Sequence, residues 1–172
     1  MPDVSMNVAR PQSRMNRNSA FLLQAAIVLV GIAALAFLLW EPHIEGRNAH
    51  ATVFEIYFED PFLAYVYVGS IPLFIALHRA FRLASHVREN GAFSQVAVDA
   101  LHVIAHCMMA LFGFATGGLA FVIMFGDGDD RPAGIFMGFL VALPSIVVAI
   151  AAAAYARKLQ DALGEAGGRL RQ

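Results

Sequence analysis

Four apolar runs, separated by short polar stretches, organise the chain. Residues 1–19 are polar, rich in Asn, Ser and Arg, and show no apolar period, so they read as a disordered cytoplasmic tail. Met6 and Met15 are alternative starts within it. The first run, 20–40, is interrupted by one polar side chain, Gln24. A hydrocarbon core of ~30 Å needs ~20 helical residues, so this run spans. The rival reading is a cleaved leader with its cut near Ala34-Leu35-Ala36. The run continues through Phe37-Leu38-Leu39-Trp40, which favours a retained helix with Trp40 at the far interface.

The second run, 61–84, contains Pro72, which removes one backbone donor and predicts a kink. The third, 96–125, follows the N-cap candidate Ser94 and is longer than a bilayer requires. Its first two turns are expected in the cytoplasmic interface, unless the helix tilts. The fourth, 132–155, opens on Pro132, a residue suited to the first helical position, with Asp129 and Asp130 near the positive helix end. Pro144 predicts a second kink. Beyond it, Leu159 and Leu163 are spaced i, i+4, so the helix is expected to run on along the membrane surface until Gly167-Gly168 stops it. The expected organisation is one four-helix transmembrane domain over 20–164, between a tail at 1–19 and a tail at 165–172. The fold class is all-α: a membrane four-helix bundle, up-down-up-down.

Composition strengthens this picture. Hydrophobic residues make up 59% and charged residues 15% of the 172 positions, against ~45–50% and ~25% in soluble domains. The net charge of -1 says little as a total, but its distribution decides orientation. Of the 12 Lys and Arg, Arg10, Arg14, Arg17, Arg79, Arg82, Arg88, Arg157, Lys158, Arg169 and Arg171 fall on one side, and only Arg47 and Arg131 on the other. Basic residues stay in the cytoplasm, so both termini and the middle connection are expected inside a cell (inner) membrane. The outer connections carry Glu41, Glu45, Glu55, Glu59, Asp60, Asp127, Asp129 and Asp130. The single cysteine, Cys107, excludes an internal disulfide and a multi-cysteine metal site, and reads as a small buried apolar group.

Two glycine pairs at i, i+4, Gly113 with Gly117 and Gly134 with Gly138, flank the short third connection at similar depth. Small residues let membrane helices approach closely, so a tight hairpin of the third and fourth helices, with its glycine pairs matched in depth, is expected. Ionisable groups inside a span are functional suspects. Asp99, His102 and His106 share one face of the third helix, and His78 sits near the matching end of the second. One reading joins them in a metal, haem or proton-relay site. The plainer reading places Asp99 and His102 at the interface, with the arginines snorkelling beside them. Phe54, Tyr57, Phe58, Phe62 and Tyr65, interleaved with Glu55, Glu59 and Asp60, read first as an interfacial aromatic belt and second as a cation mouth. No phosphate loop, zincin motif or serine elbow occurs, and the dispersed basic residues do not form a nucleic-acid module.

Several stretches carry a family resemblance. They are Asp60-Pro61-Phe62-Leu63-Ala64-Tyr65-Val66-Tyr67 through Ile71-Pro72-Leu73-Phe74-Ile75-Ala76-Leu77, then Asn90-Gly91-Ala92-Phe93-Ser94-Gln95, then Asp129-Asp130-Arg131-Pro132-Ala133-Gly134, then Ser145-Ile146-Val147-Val148-Ala149-Ile150-Ala151-Ala152. In this order the chain resembles, over about 20–164, the bacterial membrane family called domain of unknown function 2975. The resemblance implies four membrane helices with no assigned activity and no catalytic residues to carry over. Some relatives lie beside genes for small helix-turn-helix regulators, which implies a regulatory pairing. Many end in a tail containing Asn-Asp-Leu-Thr-Val, where this chain ends Gly-Gly-Arg-Leu-Arg-Gln. The functional expectation is a non-enzymatic membrane modulator or sensor that needs no cofactor and acts in the bilayer through a membrane or regulatory protein, or through a second copy of itself. The alternative is a redox or transport component using His78, His102 and His106 with Asp99.

Overall fold

The computed structural model describes residues 17–44, 61–126 and 131–169. The first sixteen residues, the aromatic-acidic connection at 45–60 with its Phe54, Tyr57 and Phe58, the acids at 127–130 and the last three residues lie outside them. All four elements are helices: α1 (Arg17–Ile44), α2 (Pro61–Asn90), α3 (Gln95–Phe125) and α4 (Arg131–Arg169). Each is long and apolar enough to cross a membrane. No strand occurs among the described residues.

Local chemistry sets the boundaries. Ser94 is extended, at φ -150° and ψ 150°, and its hydroxyl accepts from the Ala97 amide, so α3 begins on the expected cap. Gly91, at φ 84°, takes the left-handed conformation that ends α2, and its amide donates to the Val87 carbonyl. Both prolines lie inside continuous helices. A serine hydroxyl beside each bonds back into the helix: Ser70 to the Tyr67 carbonyl at 2.7 Å and Ser145 to that of Val141 at 2.6 Å.

α4 is the longest element. It runs unbroken over 39 residues, about 58 Å at ~1.5 Å per residue. Its end packs on the start of α3. Leu159 is buried against Ala97 and Val98 of α3, and Leu163 packs on the same cluster. Gly167 and Gly168 are themselves helical, neither at positive φ, and the described helix ends at Arg169 just beyond them. An exposed helical glycine costs only ~1 kcal/mol.

The substantial pairings are between chain neighbours: α1 with α2, α2 with α3, and α3 with α4, the last being the most extensive. All three pairs are antiparallel, since partners on one helix retreat as the other advances. The core forms where three helices meet, from Ala76 of α2, Ile104, Ala105, Met108 and Leu111 of α3, and Ala149 and Ala152 of α4. Alanines on α4 and bulkier side chains on α3 let these two axes approach closely.

α1 therefore leans on α2 and leaves most of its side chains exposed, Leu22 and Trp40 among them. Hydrogen bonds near both of its ends pin it. Near its start, buried Gln24 donates from Nε2 to Ser85 Oγ at 2.6 Å, and near its end the Leu38 carbonyl accepts from Tyr67 Oη at 2.9 Å. Amide-hydroxyl bonds between membrane helices are worth ~0.6–2 kcal/mol. A double-mutant cycle of Gln24→Leu and Ser85→Ala, read by denaturant unfolding in micelles, is expected to give a coupling of about 1 kcal/mol. Additive effects would remove the pin.

Candidate functional site

The polar residues of the spans concentrate where α2 ends and α3 begins. The short turn between them brings His86 Nε2 to 3.0 Å from Ser94 Oγ. Arg79, Arg82 and His86 fall at i, i+3 and i+7 on α2, so one helix face carries all three. Opposite stand Val96, Ala100 and Val103, a similarly spaced apolar face of α3. The groove between these two faces has a volume of about 650 Å³.

Two carboxylates also line it, and both have partners. Glu89 accepts from Arg88 at 3.1 Å, and Asp99 accepts from Gln95 Nε2 at 3.2 Å. Arg88 in turn lies over the Phe21 ring of α1, 5.2 Å from its centroid. Among the described residues, Arg79 and Arg82 are in no ion pair. Both are exposed, each on a long apolar stem that reaches the groove.

The histidines singled out by spacing behave differently. His106 is exposed, and its Nδ1 lies 2.7 Å from the His102 carbonyl, one turn back on its own helix. His102 is half-buried, His78 is exposed, and neither lines the groove. Among the described residues, no three His, Cys, Asp or Glu side chains are placed to hold a metal ion. Asp99 thus joins the groove while His78, His102 and His106 do not. Arg79 and Arg82, read in the sequence as markers of orientation and as snorkelling neighbours of the histidines, form its basic wall. Their spacing beside the short Asn90-Gly91 turn was the available signal. Cys107 is half-buried on α3.

The opposite end is built for packing. Tyr65 donates from Oη to the Phe114 carbonyl at 2.8 Å, and its ring lies 5.3 Å from that of Phe114. Phe62 stacks on Phe121 with centroids 5.5 Å apart. These aromatics join α2 to α3.

The glycines divide their roles. Gly134 and Gly138 of α4 approach Val122 and Leu119 of α3: a Cβ there would lie 2.8 Å from Val122 Cγ1 and 2.9 Å from Leu119 Cδ1. Gly117 instead makes room for Tyr65, whose hydroxyl would meet a Cβ at 2.5 Å, and Gly113 faces open space. On α4, then, each of these glycines meets a branched side chain of α3.

Residues 25–164 match the family model described as protein of unknown function, DUF2975. The chain is also 33% identical over 150 residues to an uncharacterized membrane protein, YoaS, of Bacillus subtilis (strain 168), an alignment covering 87% of this chain and 94% of the relative. No solved structure matches. The chain belongs to the DUF2975 family, and the resemblance borne by its motifs holds over nearly its whole length.

Proposed function

We propose, from that membership and from the geometry of α3 and α4, that this is a multi-pass protein of the cell membrane that modulates or senses through a protein partner, without catalysis of its own. Its four helices cross up-down-up-down, with both termini in the cytoplasm. The observation that carries the reading is the joint end of α3 and α4. α4 is about 58 Å long, roughly twice the ~30 Å hydrocarbon core. Its surplus turns are packed on the start of α3 by Leu159, Val98 and Ala97.

The result is a helical stalk standing off the membrane, with a small core of its own and polar side chains such as Lys158, Gln160 and Glu165 exposed around it. Such a stalk transmits a shift within the membrane helices to whatever docks on it, because packed helices move as rigid units. The distribution of basic residues sets it on the cytoplasmic side. The partner is a membrane or regulatory protein, or a second copy.

A photo-crosslinking residue at Gln160 or Glu165 tests this in living cells. Adducts of defined mass are expected from these positions and not from lipid-facing Phe139. An adduct at twice the chain's 18.6 kDa identifies self-association. A stalk that crosslinks to nothing overturns the reading. Orientation is tested by placing a single cysteine at Gln160 in a Cys107→Ala background. A membrane-impermeant maleimide is expected to label it only after permeabilisation, and labelling in intact cells reverses the topology.

A further inference from the structure

The groove between α2 and α3 carries a chemistry that the partner reading does not use. One wall offers two guanidiniums without ion pairs, and the other offers aliphatic side chains. Depth orders these groups. Because α2 and α3 are antiparallel and His86 meets Ser94 at the turn, Arg82 lies near the level of Val98 and Arg79 near that of Leu101. Arg79 is eleven residues from the end of α2 at Asn90, about 16 Å along the axis. Its stem therefore starts among the apolar residues that line the groove. Val103 continues the apolar wall inward from the same level. A ligand that fits these walls has an anionic head and a tail entering the hydrocarbon.

The fork of an arginine matches the oxygens of a phosphate, and two forks one turn apart bracket a single phosphodiester. Basic pockets between membrane helices on the cytoplasmic side take anionic lipid headgroups on these grounds. We propose that the α2–α3 groove is a phosphate site occupied by the headgroup of an anionic phospholipid, with Arg79 and Arg82 on the phosphate and an acyl chain along Val103. Asp99 argues against a mere internal ion pair: it lies at the level of Arg82 yet bonds to Gln95. In the occupied site it limits affinity, so removing its charge strengthens binding.

The test uses the full-length chain in phosphatidylcholine nanodiscs with and without phosphatidylglycerol, with retained lipid counted by native mass spectrometry. Arg79→Gln with Arg82→Gln is expected to reduce retention by about fivefold per guanidinium. The control, Arg157→Gln with Lys158→Gln, removes the same charge from the stalk and leaves retention unchanged. Asp99→Asn raises it. Both arginines are exposed, so folding is expected to persist, and Arg82→Gln alone, with circular dichroism, guards against its loss.

Equal losses from the groove and stalk variants reduce the effect to general attraction and overturn the site. So does wild-type protein that retains no phosphatidylglycerol. A second arm adds inorganic phosphate at millimolar concentration. Undiminished lipid retention supports the headgroup, and displacement assigns the same two arginines to a soluble phosphate, which overturns the lipid assignment. None of these readouts depends on the stalk or its partner, so each proposal fails separately.

Discussion

Gly138→Leu is expected to destabilise the α3–α4 pair by about 3 kcal/mol, while Gly113→Leu costs nothing and stabilises by ~1 kcal/mol at most. The two glycines belong to i, i+4 pairs of the same spacing, yet their surroundings differ. A Cβ at Gly138 would lie 2.9 Å from Leu119 Cδ1 and 3.2 Å from Leu119 Cβ, and the second of these atoms cannot swing away. At Gly113 nothing lies within 4 Å. Overpacking a close helix contact costs ~1–3 kcal/mol, and leucine's whole side chain falls at the upper end. Both changes gain the same helix propensity, ~1 kcal/mol at most, so their difference is steric. Denaturant unfolding in micelles reads it directly. Equal stabilities would show that α4 does not sit on Leu119. Gly134→Leu should follow Gly138→Leu, because Val122 is β-branched and stiff at χ1.

That contrast marks what the chain discloses by itself. Length and hydropathy were enough to number and place the helices, because an apolar run of ~20 residues has few other structures open to it. They did not specify how each helix is rotated. On a helix apolar all round, hydropathy does not distinguish the face that meets protein from the face that meets lipid. Gly113 and Gly117 could be paired with Gly134 and Gly138 by depth, but depth did not show that Gly117 turns to Tyr65. The end of α4 was hidden for a related reason. Two leucines at i, i+4 describe a membrane-surface helix and a packed one equally well, and their spacing does not reveal Val98 opposite them.

The site was legible in type but not in membership. Spacing on α3 puts Asp99, His102 and His106 on one stripe, and intramembrane histidines invite a ligand reading. The neighbouring helix then settles which part of the stripe is used. α2 turns Arg79, Arg82 and His86 toward the groove, and the described contact of His106 is with its own helix. A short turn such as 91–94 forces helix ends together, so polar groups within about three turns of it were the better starting set.

The largest expected effect lies in the stalk. Val98 is 1% exposed and sits in a cluster with Ala97, Leu159 and the flanking Leu83, Leu101 and Leu163. Val98→Asp places a carboxylate there with no cation among those neighbours. An unpaired buried charge costs on the order of 3–5 kcal/mol, more than this small cluster supplies. Relief comes by parting 157–168 from α3. A released segment of that length is marginal as a helix in water, so it melts. The membrane portion of α4 is expected to persist, since unpaired backbone is prohibitive in lipid. Hydrogen exchange should therefore accelerate by about 10²–10³ over 157–168, the factor matching ~3–4 kcal/mol, and stay slow over 140–152. Asp99 supplies the internal control: an acid one position along is already accommodated because it is exposed. Gln95→Asp, on the same exposed turn, should leave exchange unchanged. If Val98→Asp left the stalk protected, the cluster would not be what holds it. If it frees the stalk and also abolishes crosslinking from Gln160, the partner reads the packed pair of helices and not the sequence of α4 alone.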